Sequence, residues 1–296
     1  MQNEFHSSLL VVAGFPRTGT TSIYRNLELH PDFAVPVRKE LNFFSRANQP
    51  LASYKAHFSH HQPGQICVDV SPLYSLDPAV AARLRAAVPQ ARVVLLVREP
   101  ASWIQSTYTQ MCSYTPHPPS LAQFVERPVL KHFNPEVTFS LKEGVYRRSL
   151  AAFGSAFGDN LLIIDFAAFE RNPLAILSDI ETFAGALRYF TGKTVDVRRH
   201  NSSRLARRYP PQLRRLLSQE SLIQVATRVV PAPLLRRARS MLYYEGRTSE
   251  SVPTMTQEDE HDATITRAAT AADRETYAEL FRTAPVRRGS DLPWED

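Results

Sequence analysis

Leu9-Leu10-Val11-Val12-Ala13-Gly14-Phe15-Pro16-Arg17-Thr18-Gly19-Thr20-Thr21-Ser22 joins an apolar run, a glycine-bearing turn and a hydroxyl-rich segment with no spacer between them. Four apolar residues in a row, Leu9 to Val12, suit a strand covered on both faces, as in a parallel sheet packed between helices. Gly14 and Gly19 allow backbone conformations that gather several N–H groups around one anion. A helix predicted from Thr21 to Leu29 aims its N-terminus at the same point, where its dipole and free N–H groups favour a phosphate. The alternative is a plain strand-to-helix turn capped by Thr20 or Thr21.

The turn differs from the nucleoside-triphosphate loop, which places Lys and then Ser or Thr directly after its second glycine. Gly14 and Gly19 keep the four-residue gap, but Thr20-Thr21 replace that pair and Arg17 supplies a cation within the turn. Arg17, Thr18, Thr20, Thr21 and Ser22, with the backbone at Gly19, can surround one phosphate but not three. A second strand-to-helix run, Ala91 to Tyr108, sets Arg98 at a strand's carboxyl end and Ser106 on the helix that follows. Both can donate to one anion at the edge where open parallel sheets bind ligands. Two anion sites imply a ligand with two separate phosphates.

Together these stretches resemble the sulfotransferases that use 3′-phosphoadenosine 5′-phosphosulfate (PAPS). Gly14 to Thr21 stands in place of their 5′-phosphate loop, and Arg98 and Ser106 match their 3′-phosphate pair. The similarity is to the carbohydrate O-sulfotransferase branch, through Leu29-His30-Pro31, Lys39-Glu40-Leu41-Asn42-Phe43-Phe44, and Asp69 with Ser71-Pro72-Leu73-Tyr74. Tyr108-Thr109-Gln110 and Gly144-Val145-Tyr146 continue it, and it returns at Asp291-Leu292-Pro293-Trp294. The resemblance implies a P-loop-like three-layer α/β fold, with a central, mostly parallel sheet flanked by helices. It also implies PAPS as sulfonate donor, no required metal, and a hydroxyl-bearing acceptor: a carbohydrate, a glycolipid or a glycosylated small molecule.

Sulfuryl transfer is an in-line displacement that depends on positioning and charge stabilisation. An acceptor alcohol needs its proton removed, and Glu40 holds the position of the general base in the resembling enzymes. The competing reading of Glu40 is a surface pair with Lys39 or Arg38. Arg17 matches the residue that meets the bridging oxygen and the 5′-phosphate; many relatives carry lysine there, and arginine keeps the charge without shuttling a proton. The family's Gly-x-Tyr places Tyr146 near the nucleotide, with a structural tyrosine as the alternative. Its late basic loop suggests that Arg204, within Arg198 to Arg208, closes on the 3′-phosphate. Val70 and Asn42 depart from the family's lysine and histidine, which strips acceptor-side groups. Asn42 either orients an acceptor hydroxyl or serves a turn.

The chain has 296 residues, two cysteines and a formal net charge of +6. That length suits one large α/β domain, with a core at about 8–190 and a basic helical part at 198–296 over the nucleotide and acceptor sites. Cys67 and Cys112 make no disulfide framework or metal-ligand spacing and read as buried reduced thiols. No apolar run nears the ~20 residues of a membrane span, and the N-terminus lacks a secretion signal, which points to a cytoplasmic protein of bacterial type. Strands are expected at Leu9 to Ala13, Phe33 to Val35, Ile66 to Val68, Val93 to Val97 and Leu161 to Ile164. Helices are expected at Ala79 to Ala87, Ser102 to Met111, Val145 to Phe157 and Leu174 to Phe183. Pro231 to Tyr244 reads as a basic amphipathic helix packed on the core, with peripheral contact to anionic lipid as the alternative. Ser249 to Asp262 reads as an exposed loop, Ala263 to Phe281 as a last helix, and Trp294 as a docking residue.

Two other function classes fit parts of this pattern. A nucleotide kinase or ATPase would share the cradle, but its lysine is missing. A binder of anionic surfaces or nucleic acid would fit the charge; the basic residues are spread among helices with no aromatic stacking pattern, which argues against nucleic acid.

Overall fold

The computed structural model describes residues 9–36, 39–112, 117–126, 144–192, 194–196, 205–206, 247–248 and 257–291. Arg38, Arg204, the 231–244 segment and Trp294 lie outside the described residues. In chain order the elements are β1 (Leu9–Gly14), α1 (Thr20–Leu29), β2 (Phe33–Ala34), α2 (Leu51–Ala56), β3 (Ile66–Val70), α3 (Ala79–Ala87), β4 (Arg92–Val97), α4 (Pro100–Cys112) and α5 (Leu121–Glu126). They continue with α6 (Val145–Phe157), β5 (Leu161–Asp165), α7 (Phe166–Arg171), α8 (Pro173–Ala184), β6 (Leu205–Ala206), β7 (Arg247–Thr248), α9 (Gln257–Ala269), α10 (Ala271–Leu280) and β8 (Val286–Arg288). Residues 198–254 form a separate compact unit, in which β6 and β7 pair antiparallel.

The main sheet has the order β2-β3-β1-β4-β5-β8, with β8 antiparallel to β5 and all other pairs parallel. This is the three-layer, mostly parallel arrangement expected from the sequence. β1 lies at its centre, Val11 facing Asp69 of β3 on one side and Val93 of β4 on the other. Alternate residues feed two cores. Leu9, Val11 and Ala13 pack with Trp103 of α4 and with Val145, Leu150 and Phe153 of α6. Leu10 and Val12 pack with Ile23 and Leu27 of α1 and with Leu177 and Ile180 of α8. Apolar strand residues on both faces are thus buried, each contributing roughly 1.5–3 kcal/mol. The chain leaves β1 to build one half of the sheet, then crosses back to build β4 and β5. The carboxyl end of β1 is therefore the point where strand order reverses, the usual ligand crevice of such sheets.

The core helices and strands match the expected positions within two residues at most ends. α4 starts at Pro100, two residues early, because Pro suits the first helical position and Glu99 accepts the N–H of Ser102 at 2.7 Å. The segment expected as loop to Asp262 is helical from Gln257, and the expected last helix is two helices. The break falls at Thr270 (φ −115°, ψ 17°), whose hydroxyl bonds back to the Thr266 carbonyl at 2.6 Å. The strand β8 was not foreseen, since Val286-Arg287-Arg288 carries no alternating apolar pattern. It covers the edge of β5, and Arg288 spreads over the Phe183 ring at 4.7 Å. Cys67 is buried as expected and its thiol is pushed up to about 12 by that burial. Cys112 is only half-buried, as the last residue of α4.

Candidate active site

The turn after β1 is shaped by contacts that exclude side chains at its two glycines. Gly14 has φ +150°, and a Cβ there would meet the Leu96 Cβ at 3.0 Å and its backbone N and O at 3.1 Å. Gly19 has φ +78°, and a Cβ there would lie 2.7 Å from the Phe166 ring. Phe15 donates its N–H to Leu96 O at 3.0 Å, and the Thr18 hydroxyl donates to Phe15 O at 2.6 Å, which closes the loop. Arg17, at φ +71°, is held in the left-handed region that non-glycine residues avoid. Gly19 is the N-cap of α1 and makes no side-chain cap hydrogen bond. The alternative of capping by Thr20 or Thr21 is therefore not what occurs: both are buried within the first turn, and Ser22 is half-buried beside them.

Arg17, Arg98, Ser106 and Tyr146 converge on this turn. Arg17 Nε donates to Ser106 Oγ at 3.2 Å, Arg98 Nη1 donates to Arg17 O at 3.2 Å, and the Tyr146 hydroxyl donates to Arg98 O at 2.7 Å. The Tyr146 ring stacks on Phe15 with centroids 4.0 Å apart, and Trp103 meets both rings edge-on. Tyr146 is fully buried, so it supports the turn from below and fixes the backbone of Arg98. Burial lowers the Arg98 pKa, while Glu170, Tyr146 and Glu99 oppose the shift; its guanidinium lies 5.1 Å over the Phe166 ring. A desolvated cation held from two sides is already organised for an anion.

Glu40 stands beside this arrangement, at the carboxyl end of the neighbouring strand. Its N–H donates to Val70 O, the last residue of β3, at 3.1 Å, and its backbone is left-handed at φ +63°. Its side chain is 43 % exposed and pairs with the Lys39 ammonium, whose side chain is 6 % exposed. Asn42 is also left-handed, at φ +49°, and its Oδ1 is buried with no hydrogen-bond partner among the described residues. The carboxyl ends of β3, β1 and β4 thus present a carboxylate, a cradle and a half-buried guanidinium side by side. No helix among the described residues is long and apolar enough to cross a membrane, and no group of three His, Cys, Asp or Glu among them could hold a metal.

Residues 9–152 match the family described as Sulfotransferase domain. That stretch is similar to sulfotransferases. The chain is 25% identical over 185 residues to heparan sulfate glucosamine 3-O-sulfotransferase 3B1 of Mus musculus, covering 62% of this chain and 47% of that protein. It is 25% identical over 185 residues to heparan sulfate glucosamine 3-O-sulfotransferase 6 of Homo sapiens, covering 62% and 54%. The chain spans about half the length of the curated relatives it matches. A crystal structure of a sulfotransferase from Alicyclobacillus acidocaldarius shares the fold, with a TM-score of 0.53 and 22% identity over 73% of this chain and 92% of that one.

Around this turn stand several side chains that sequence reasoning missed. Phe166 follows β5 directly and walls both Gly19 and Arg98; an aromatic residue at a strand's carboxyl end was the available signal. From α10, Arg274 Nε donates to Glu99 Oε1 at 2.9 Å and the Tyr277 hydroxyl donates to Asp165 Oδ1 at 2.6 Å. Burial alone would raise the Glu99 pKa, but the Ser102 N–H and hydroxyl, the Ala101 N–H and Arg274 together hold it below its ordinary value. A cleft of about 730 Å³ opens between α4 and α9 with α10, lined by Ser102, Gln105, Tyr108, Thr266 and Arg267 among others.

Asp273 of α10 is buried at the N-terminus of α6, and burial pushes its pKa up to about 6 against the pull of the Tyr146 and Arg147 N–H groups. A carboxyl whose pKa is higher folded than unfolded binds its proton more tightly in the folded chain. The resulting penalty is absent below about pH 4, grows between about 4 and 6, and is complete above. Asp273→Asn is therefore expected to stabilise the chain by about 1–3 kcal/mol at pH 7 and to leave it unchanged near pH 3.5. Paired thermal denaturation at the two pH values checks this; a destabilised variant at pH 7 would show that the charged form is the favoured one.

Proposed function

We propose that this chain transfers a sulfonate group from PAPS to a hydroxyl of a carbohydrate or glycosylated acceptor. The observation that carries the reading is the convergence of Arg17, Arg98 and Ser106 on a glycine-shaped turn and helix N-terminus at the sheet's switch point. The residues fit the donor. The turn is held in its shape by the close approach of Leu96 to Gly14 and of Phe166 to Gly19, and the cations are arginines, whose forked donors match phosphate oxygens. The similar enzymes are heparan sulfate glucosamine 3-O-sulfotransferases, which supports a glycan acceptor. Val70 and Asn42, which depart from the lysine and histidine that the family resemblance implies, favour one less anionic.

When bound, PAPS supplies an activated sulfonate on a phosphate leaving group. The Gly14 to Ser22 turn holds the 5′-phosphate, and Arg98 with Ser106 holds the 3′-phosphate. Glu40 accepts the acceptor's hydroxyl proton as the oxygen–sulfur bond forms. Arg17 faces the oxygen on which charge develops as the bond to phosphate breaks, where a fixed cation stabilises the transition state more than the ground state. Its buried neighbour Lys39 keeps the Glu40 carboxylate oriented. The products are a sulfate ester, a protonated Glu40 and adenosine 3′,5′-bisphosphate.

The test is sulfonate transfer from labelled PAPS to a panel of neutral and uronic-acid-containing glycans and glycolipids, without added metal. Labelled sulfate esters support the reading. Hydrolysis of ATP with magnesium and no sulfate ester would favour the kinase or ATPase reading instead.

A further inference from the structure

The sheet face packed against α4 and α6 carries a buried carboxylate that the proposed chemistry does not use. Asp69 of β3 is fully buried, in register with Val11. Its Oδ1 accepts the Ser71 hydroxyl at 2.7 Å, and its Oδ2 accepts the Tyr74 hydroxyl at 2.8 Å and the Tyr54 hydroxyl at 3.1 Å. Burial raises its pKa, and the three hydroxyls draw it back down. Two of those hydroxyls have a second task. Ser71 Oγ accepts the Asn42 N–H at 3.1 Å, and the Tyr74 oxygen accepts the Phe44 N–H at 3.4 Å. A hydroxyl has one proton; once that proton is given to Asp69, its lone pairs are left facing the 40–44 segment.

That segment needs holding. Glu40 and Asn42 both sit at positive φ within three residues, a conformation that persists only where surrounding contacts impose it. We propose that Asp69 is a positioning residue for the reaction at Glu40: by fixing the Ser71 and Tyr74 hydroxyls, it pins the strained Glu40–Phe44 backbone and so aims the Glu40 carboxylate. This rests on the sulfotransferase reading given above. Tyr54 serves as the internal control, because its hydroxyl donates to the same carboxylate while its ring packs on Phe43 and Phe44.

The chain is tested as Asp69→Asn, Ser71→Ala, Ser71→Thr and Tyr54→Phe, with four readouts: kcat and acceptor KM, affinity for adenosine 3′,5′-bisphosphate, thermal stability, and amide hydrogen exchange. Asp69→Asn and Ser71→Ala are expected to lower kcat by about 10- to 100-fold, the scale of a ~1 Å misplacement, with bisphosphate affinity kept within about twofold. Ser71→Thr restores the rate, and Tyr54→Phe stays within about threefold of the parent. In Asp69→Asn the Asn42 and Phe44 amides exchange at least about tenfold faster, while those of β1 and β4 are unchanged. A uniform loss of kcat and stability that includes Tyr54→Phe would make Asp69 a structural residue only, and unchanged kcat in Asp69→Asn would also overturn the inference. If the parent chain transfers no sulfonate, the functional reading fails separately. The exchange data then still decide the holding role, since unchanged protection at Asn42 and Phe44 removes it.

Discussion

Arg98→Ala is expected to erase the preference for a ligand carrying a 3′-phosphate while leaving the 5′-phosphate cradle in place. The Arg98 guanidinium is desolvated, lies over Phe166 and is tied to the Arg17 carbonyl, so little further ordering is needed when an anion arrives. Charge-assisted hydrogen bonds of this kind are worth about 1.5–3 kcal/mol, so affinity for adenosine 3′,5′-bisphosphate should fall by about 10- to 150-fold. Adenosine 5′-phosphate, which lacks the group that Arg98 meets, should lose no more than about threefold through the shared contact with Arg17. Titration calorimetry of both ligands against parent and variant measures the difference. Equal losses for the two would show that Arg98 supports the turn and does not read the 3′-phosphate.

Glu40→Gln is expected to lower kcat by about 10²- to 10⁴-fold, the usual contribution of general-base catalysis, with bisphosphate affinity within about twofold of the parent. The substitution keeps the side chain's length and its ability to accept from Lys39, and removes only the capacity to hold a proton. The alternative assigns Glu40 to an ion pair with Lys39, and that pair does form. A half-exposed pair contributes about 0–1 kcal/mol to stability and nothing to the chemical step, so on that view turnover would survive the change. Steady-state rates with saturating PAPS separate the two directly.

The parts of the fold and site that are legible in the sequence are those written in contiguous residues. Leu9 to Val12 and Val93 to Val97 are unbroken apolar runs, and both form central strands. Gly14, Arg17 and Gly19 mark the turn because only glycine tolerates the close approach of Leu96 and Phe166. The missed features depend on residues far apart in the chain. Tyr277 reaches Asp165 across 112 positions and Arg274 reaches Glu99 across 175, and nothing local in Arg274-Glu275-Thr276-Tyr277 marks that partnership. Asp69 was visible as a residue but not as a buried one: in an alternating reading a carboxylate points to water, and the predicted strand stopped at Val68. Its burial depends on three hydroxyls, one of which, on Tyr54, belongs to α2, a helix with no strong apolar period. Phe166 and β8 were passed over for a related reason, since Phe166 meets Gly19 and Arg98 and β8 pairs with β5, partners that lie far away in the chain.

The most direct test of a two-phosphate site at the β1 turn is calorimetric titration of the chain with adenosine 3′,5′-bisphosphate, beside adenosine 5′-phosphate and ATP with magnesium, at moderate salt. Selective binding of the bisphosphate, micromolar or tighter, is the result that Arg17, Arg98 and Ser106 lead one to expect. Binding of ATP with magnesium alone, or of none of the three, would contradict it.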